Sequence, residues 1–131
     1  MPGLILYRFT ASLIFYNAPY FRRRVLVITD ASPGAKCLIV DGAPIVHLDS
    51  TGADTVAALA DDLAARGIRL VFGGVLPQVR QMLERSGALQ HLGGDSVYPS
   101  LRAAVEACES SFEGGAGGLH QGPIPAWPAW S

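Results

Sequence analysis

The sequence predicts an α/β fold: a mixed, mostly parallel sheet of four to five strands with about four to five helices packed against it. Three observations predict it. The run Cys37-Leu-Ile-Val40 is continuously apolar, as a strand buried on both faces must be. Apolar stripes at helical spacing follow it, and strands and helices then alternate along the chain. Half of the 131 residues are hydrophobic and only 16% are charged, a composition that supports one domain with one core.

The elements follow in order. Leu4 to Phe9 is short, apolar and aromatic, and is expected as a strand. Leu13-Ile-Phe-Tyr16 has the same character after a short polar break, so the two are expected to pair antiparallel. Asn17 stands where a helix N-cap would, with Pro19 just inside the first turn. Ala18, Phe21, Val25 and Ile28 then form one apolar stripe, and Arg22, Arg23 and Arg24 fall on the other faces, read as solvated. Asp30 to Gly34 closes that helix. Cys37 to Val40 is the buried strand, ended by Asp41 and Gly42. A loop from Ala43 to Leu48 leads to Asp49-Ser-Thr-Gly52, which opens a helix with Val56, Leu59, Ala60 and Leu63 inward and Gly67 after its end. Ile68 to Phe72 is the next strand, closed by Gly73-Gly74. Val75, Leu76, Val79, Met82 and Leu83 mark a third helix, with Pro77 in its first turn and Gly87 beyond it. Leu89 and Leu92 pack the return. Ser96 to Tyr98 is a short strand, and Pro99 and Ser100 open a last helix with Leu101, Ala104, Val105 and Cys108 inward.

Residues 1–109 are thus expected to be the folded domain. Residues 110–131 change character, with four closely spaced glycines, then Pro123, Pro125 and Pro128 near Trp127 and Trp130, and read as a flexible, locally polyproline-like tail. No segment holds the roughly 20 apolar residues a membrane-spanning helix needs. The opening Met1 to Arg8 lacks the basic and long apolar regions of a secretory signal.

Charge narrows the functional classes. Ten Lys and Arg against 11 Asp and Glu leave a formal charge of −1, without the basic excess of a nucleic-acid binder. Cys37 and Cys108 lie far apart, have no CxxC neighbour, and read as small buried hydrophobes in a reducing compartment; nothing in the sequence asks for a disulfide. His47, His91 and His120 are isolated, so no metal site is expected. No nucleophile elbow surrounds Ser32, Ser50, Ser86 or Ser96, and Asp30, Asp41 and Asp49 lack the paired carboxylates of a receiver pocket. An enzyme is not expected.

The Asp49 turn carries the strongest functional signal. It follows a buried strand and opens a helix, the place where ligands and modifying enzymes reach an α/β sheet. Free helix amides and the positive end of the dipole favour an anion there. Residue types alone also allow a plain helix cap at Asp49 or Ser50, with Gly52 chosen for a close approach. Gly73-Gly74 is a second, weaker anion site, since no lysine follows and the Walker A spacing is absent.

The run Val40-Asp-Gly-Ala-Pro-Ile-Val-His-Leu-Asp-Ser-Thr-Gly52 resembles the signature of STAS domains (sulfate transporter and anti-sigma factor antagonist): a buried strand ending in Asp, a loop, then Asp-Ser-Thr-Gly opening a helix. Ala65 to Leu70 and Val79 to Gly87 are similar to the family as well, and the resemblance covers about residues 3 to 108. It implies one of two settings. Free anti-sigma factor antagonists are phosphorylated by a partner kinase on the hydroxyl residue before the Gly, which here is Thr51, with Ser50 beside it; the usual residue there is Ser. SulP anion permeases carry the domain at their cytosolic C-terminus. Leu13 to Ala18 followed by Tyr20-Phe21, and the opening Pro2 to Leu6, look like the permease version.

The resemblance therefore implies a non-enzymatic regulatory domain at the cytoplasmic face of the cell membrane. Its expected partners are the transmembrane domain of the same permease and another STAS domain or regulatory protein, with no nucleic acid. No cofactor is required; GTP, GDP or ATP is implied as a regulatory ligand. Asp41, Asp49, Ser50, Thr51, Gly52, Gly73 and Gly74 are the candidate contacts for nucleotide or partner.

Overall fold

A computed structural model describes residues 3–93 and 95–111. Strands β1 (Leu4–Arg8), β2 (Cys37–Asp41), β3 (Arg69–Gly73) and β4 (Val97–Tyr98) form one sheet in the order β1-β2-β3-β4. All three neighbouring pairs are parallel, so each return requires a crossover. Helix α1 (Ala18–Asp30) links β1 to β2, α2 (Ser50–Ala65) links β2 to β3, and α3 (Pro77–Ser86) with α4 (Ala88–Leu92) links β3 to β4; α5 (Leu101–Ser111) follows β4.

Every residue of β2 is buried, as its unbroken apolar run requires of a central strand covered on both faces. Pleating divides the sheet between two cores. Tyr7, Leu38, Val40, Leu70 and Phe72 pack with Phe21, Val25, Val56, Leu59, Leu63 and Leu83 of the crossover helices. Cys37, Ile39 and Val71 face the other way and pack with Ala104, Val105 and Cys108 of α5. The second core is the smaller, because α5 is the one helix that contributes to it among the described residues.

Two expectations at the start of the chain are overturned. Leu13 to Tyr16 does not form a strand and does not pair antiparallel with β1. Leu13 alone makes an isolated parallel bridge to Leu48. Its N–H donates to the His47 carbonyl at 2.9 Å, and its own carbonyl accepts from the Asp49 N–H at 3.3 Å. Leu13 is fully buried, whereas Phe15 and Tyr16 are 68% and 83% exposed. Burial of a continuous apolar face, which would drive strand pairing, is therefore missing. Asn17 is the N-cap residue of α1, as expected, but its side chain makes no cap hydrogen bond. Its Oδ1 instead accepts from the Ile14 N–H at 3.0 Å, and its Nδ2 donates to the Ser12 carbonyl at 2.7 Å. The side chain turns back to the preceding loop rather than forward to the helix.

Arg22 and Arg23 are exposed, as their spacing suggests, and Arg24 is half-buried. Arg22 pairs with Asp62, and Arg66 with Asp30 at 2.8 Å, tying α1 to α2. Arg23 lies 5.9 Å over the Tyr20 ring. Arg24 is hydrogen-bonded to the Tyr7 hydroxyl, although burial, the larger influence, raises that phenol above its ordinary pKa. Helix α5 continues through Ser111. The glycine- and proline-rich tail expected from 110 onward falls from 112 outside the described residues. Among the described residues, no helix is long and apolar enough to cross a membrane.

Candidate functional site

The Asp49 turn is built by the loop that leaves β2. Asp49 has extended backbone angles (φ −95°, ψ −178°), the conformation of an N-cap. Its Oδ1 accepts from the Gly52 N–H at 2.8 Å, and its Oδ2 accepts from the Phe15 N–H at 2.9 Å. The Gly52 bond is the main reason the carboxyl is held below the usual carboxylate range; the Phe15 and Thr51 amides and nearby His47 add to it, against a desolvation that opposes it. The helix amides that could receive an external anion are thus partly filled by this carboxylate.

Gly52 is fixed by a different constraint. A Cβ there would lie 2.3 Å from the Leu13 carbonyl oxygen and 2.8 Å from Leu48 Cδ1. The Leu13–Leu48 bridge thus presses directly against the first turn of α2. Two of the four residues of the motif serve the architecture, one as cap and one as clearance.

Ser50 and Thr51 are left exposed. Thr51 lines a groove of about 510 Å³ together with Ala18, Pro19, Arg22, Arg23 and Leu26 of α1 and Thr55 of α2. The hydroxyl therefore shares a groove with two guanidinium side chains. The exposed aromatics Phe15, Tyr16 and Tyr20 belong to the segment that leads into α1 and to its first turn.

Asp41, Gly73 and Gly74 form a second group. Asp41 is almost buried at the end of β2. Its Oδ1 accepts from the Ala43 N–H at 3.1 Å, and its Oδ2 lies 3.8 Å from Arg8 Nε. A Cβ on Gly74, whose φ is +76°, would stand 3.6 Å from that Oδ1. A Cβ on Gly73 would meet Leu101 Cα at 2.9 Å and Ala104 Cβ at 3.0 Å, so the absent side chain lets α5 close on β3. The structure thus brings Asp41 to Gly74, and Ser50–Thr51 to α1, as groups held by different elements.

Among the described residues no group of three or more His, Cys, Asp and Glu is placed to hold a metal. His91 Nδ1 contacts Asp61 Oδ2 at 3.0 Å on the surface. The sequence reading missed three features: the exposed Phe15–Tyr16 pair bound to Asp49, the Arg22–Arg23 wall opposite Thr51, and the Arg8 partner of Asp41. The aromatic pair had a signal, a two-residue aromatic run directly before a helix. The other two depend on contacts between distant segments.

The family model for the STAS domain matches residues 1–104. The chain belongs to the STAS domain family. Among curated proteins, this STAS chain is 34% identical over 108 residues to a probable sulfate transporter of Mycobacterium tuberculosis, covering 82% of the chain and 19% of that protein. It is 28% identical over 117 residues to sulfate transporter 1.2 of Arabidopsis thaliana, covering 82% of the chain and 18% of that protein. The chain spans about a fifth of the length of these relatives. Among solved structures, the SulP transporter STAS domain from Vibrio cholerae superposes with a TM-score of 0.72 at 25% identity, covering 86% of this chain and 85% of that one. The murine Solute Carrier 26 family member A9 anion transporter shares the fold, with a TM-score of 0.75 at 22% identity over 84% of this chain and 18% of that one.

Proposed function

We propose that this STAS chain is the cytosolic regulatory domain of a SulP-type sulfate or anion permease, acting by protein contact rather than by catalysis. The observation that carries the reading is the exposed Phe15–Tyr16 pair, held against the Asp49 turn by the Phe15 N–H bond to Asp49 Oδ2. Large exposed aromatics on a fixed segment suit a docking surface. The partner is the transmembrane domain of the same permease, with a second STAS domain or a regulatory protein as a further contact, at the cytoplasmic face of the membrane. The sulfate transporters among the relatives support that setting. The test is sulfate uptake by cells expressing the full reading frame that contains this chain. Phe15→Ala with Tyr16→Ala is expected to lower uptake several-fold while leaving the melting temperature of the domain unchanged. Unchanged uptake, or a reading frame without membrane spans, removes the proposal.

A regulatory nucleotide, GTP, GDP or ATP, is assigned within this reading to Ser50, Thr51 and the Gly73–Gly74 turn, with Asp41 beside it. Asp49 and Gly52 are left their structural roles. Amide chemical shifts followed through a nucleotide titration should move at both turns; shifts at neither remove the nucleotide from the reading.

A second reading is favoured by one observation, the position of Thr51 in the groove that Arg22 and Arg23 line. A phosphate on Thr51 would stand near both guanidinium groups. This would make the chain an anti-sigma factor antagonist switched at Thr51. A cognate kinase is then expected to label the wild type and not Thr51→Ala; equal labelling of the two sinks the idea.

A further inference from the structure

Cys37 and Cys108, far apart in sequence, meet in the smaller core. Cys37 is the first residue of β2, and Cys108 lies on α5. Both are free thiols, 2% and 0% exposed, in one cluster with Ile39, Val71, Ala104 and Val105. Their side chains are hydrogen-bonded to each other. Arg69 is the register neighbour of Cys37 on β3. Two thiols from two different elements thus meet in one buried cluster, a proximity that a sequence cannot display.

We propose that Cys37 and Cys108 form a reversible dithiol–disulfide couple that fastens α5 to the start of β2. The two thiols are not equivalent. The bond from Cys37 lowers the pKa of Cys108, and the Arg69 guanidinium lowers it further against the opposing effect of burial. The same contact, together with burial, pushes the Cys37 thiol up. Cys108 lies on α5, the helix whose lifting admits the oxidant, and is assigned as the attacking sulfur. As a thiolate it attacks one sulfur of a low-molecular-weight disulfide, releasing one thiolate and forming a mixed disulfide. Cys37 then loses its proton to solvent and attacks Cys108 Sγ, expelling the second thiolate. The protein loses two electrons and two protons, and the small disulfide is reduced to two thiols.

Access is set by α5. The small core is closed by this one helix among the described residues, so transient lifting of α5 admits the oxidant and its return brings the sulfurs together. The bond then holds α5 against the start of β2.

The experiment incubates the folded protein with oxidised glutathione at neutral pH and reads the intact mass. The expected result is a loss of two hydrogens with no retained glutathione, a proteolytic fragment linking Cys37 to Cys108, and reversal by dithiothreitol. Cys37→Ala should trap Cys108 as a stable glutathione adduct. Cys108→Ala should slow modification of Cys37 by about tenfold or more, the attacking thiol being gone. If an alanine variant fails to fold, the linked fragment from the wild type decides alone. A wild type that keeps both thiols while the denatured chain oxidises, or that holds a stable glutathione adduct, overturns the proposal.

Discussion

Two glycine-bearing turns open at the same end of the sheet, and their glycines are required by different neighbours. At the Asp49 turn, Gly52 clears a path for the backbone of Leu13, a carbonyl anchored by its bond to the Asp49 N–H. At the second turn, Gly73 clears a path for α5, a helix that can shift as a body, and Gly74 meets no atom closer than 3.6 Å but sits at positive φ. Similar residue types thus answer three different demands: a rigid obstacle, a movable one and a backbone angle. The difference teaches that a family signature can be mostly scaffold. In Asp49-Ser-Thr-Gly52 the ends of the motif hold the turn and the middle is free to act.

The comparison predicts an order of effects. Gly52→Ala should be the most damaging, by about 3 kcal/mol, since neither the Leu13 carbonyl nor Leu48 can withdraw without breaking the bridge. Gly73→Ala should cost less, about 2 kcal/mol, because α5 can move by a few tenths of an ångström. Gly74→Ala should cost about 1 kcal/mol, the strain of a left-handed alanine. Urea midpoints of the three variants test the series; a Gly74 variant weaker than the Gly52 variant would break it.

Acid sharpens the same comparison. The folded pKa of Asp49 lies below its unfolded value of about 3.9. Its contribution is complete above that value and is lost as pH falls through the folded pKa. Urea midpoints of the wild type and Asp49→Asn should therefore differ at neutral pH and converge as the pH falls through the folded pKa of Asp49. A gap that stays constant would show that the carboxylate charge plays no part. The smallest effect is expected at Thr51: Thr51→Ala should change stability by about 0.5 kcal/mol or less, since its side chain is exposed and caps nothing. A larger loss would move Thr51 from the free part of the motif into its scaffold.

Much of the fold was legible because its signals are local. Cys37 to Val40 announced a doubly covered strand by its unbroken apolar run, and the stripes of α1, α2 and α3 announced amphipathic helices. The Asp49 cap was legible for the same reason, since cap and amide stand three residues apart. Leu13 to Tyr16 was not. An apolar, aromatic run reads alike as a strand and as an exposed strap, and the choice was made by hydrogen bonds to residues 47 and 49. The need for glycine at 52, the Arg22–Arg23 wall facing Thr51 and the meeting of the two cysteines are equally non-local. Each depends on where a second segment arrives, which no window of residue types records.

The strap between β1 and α1 has a consequence for recognition. Asn17 closes it from one side through Ile14 and Ser12, and Leu13 and Phe15 tie it from the other to His47 and Asp49. Its backbone is therefore ordered before any partner arrives. A surface preorganised in this way spends little loop entropy on association, so affinity is set by what the Phe15 and Tyr16 rings touch. Asn17→Ala leaves both rings in place and removes that advantage, and the loss would be felt in the rate at which a productive encounter forms.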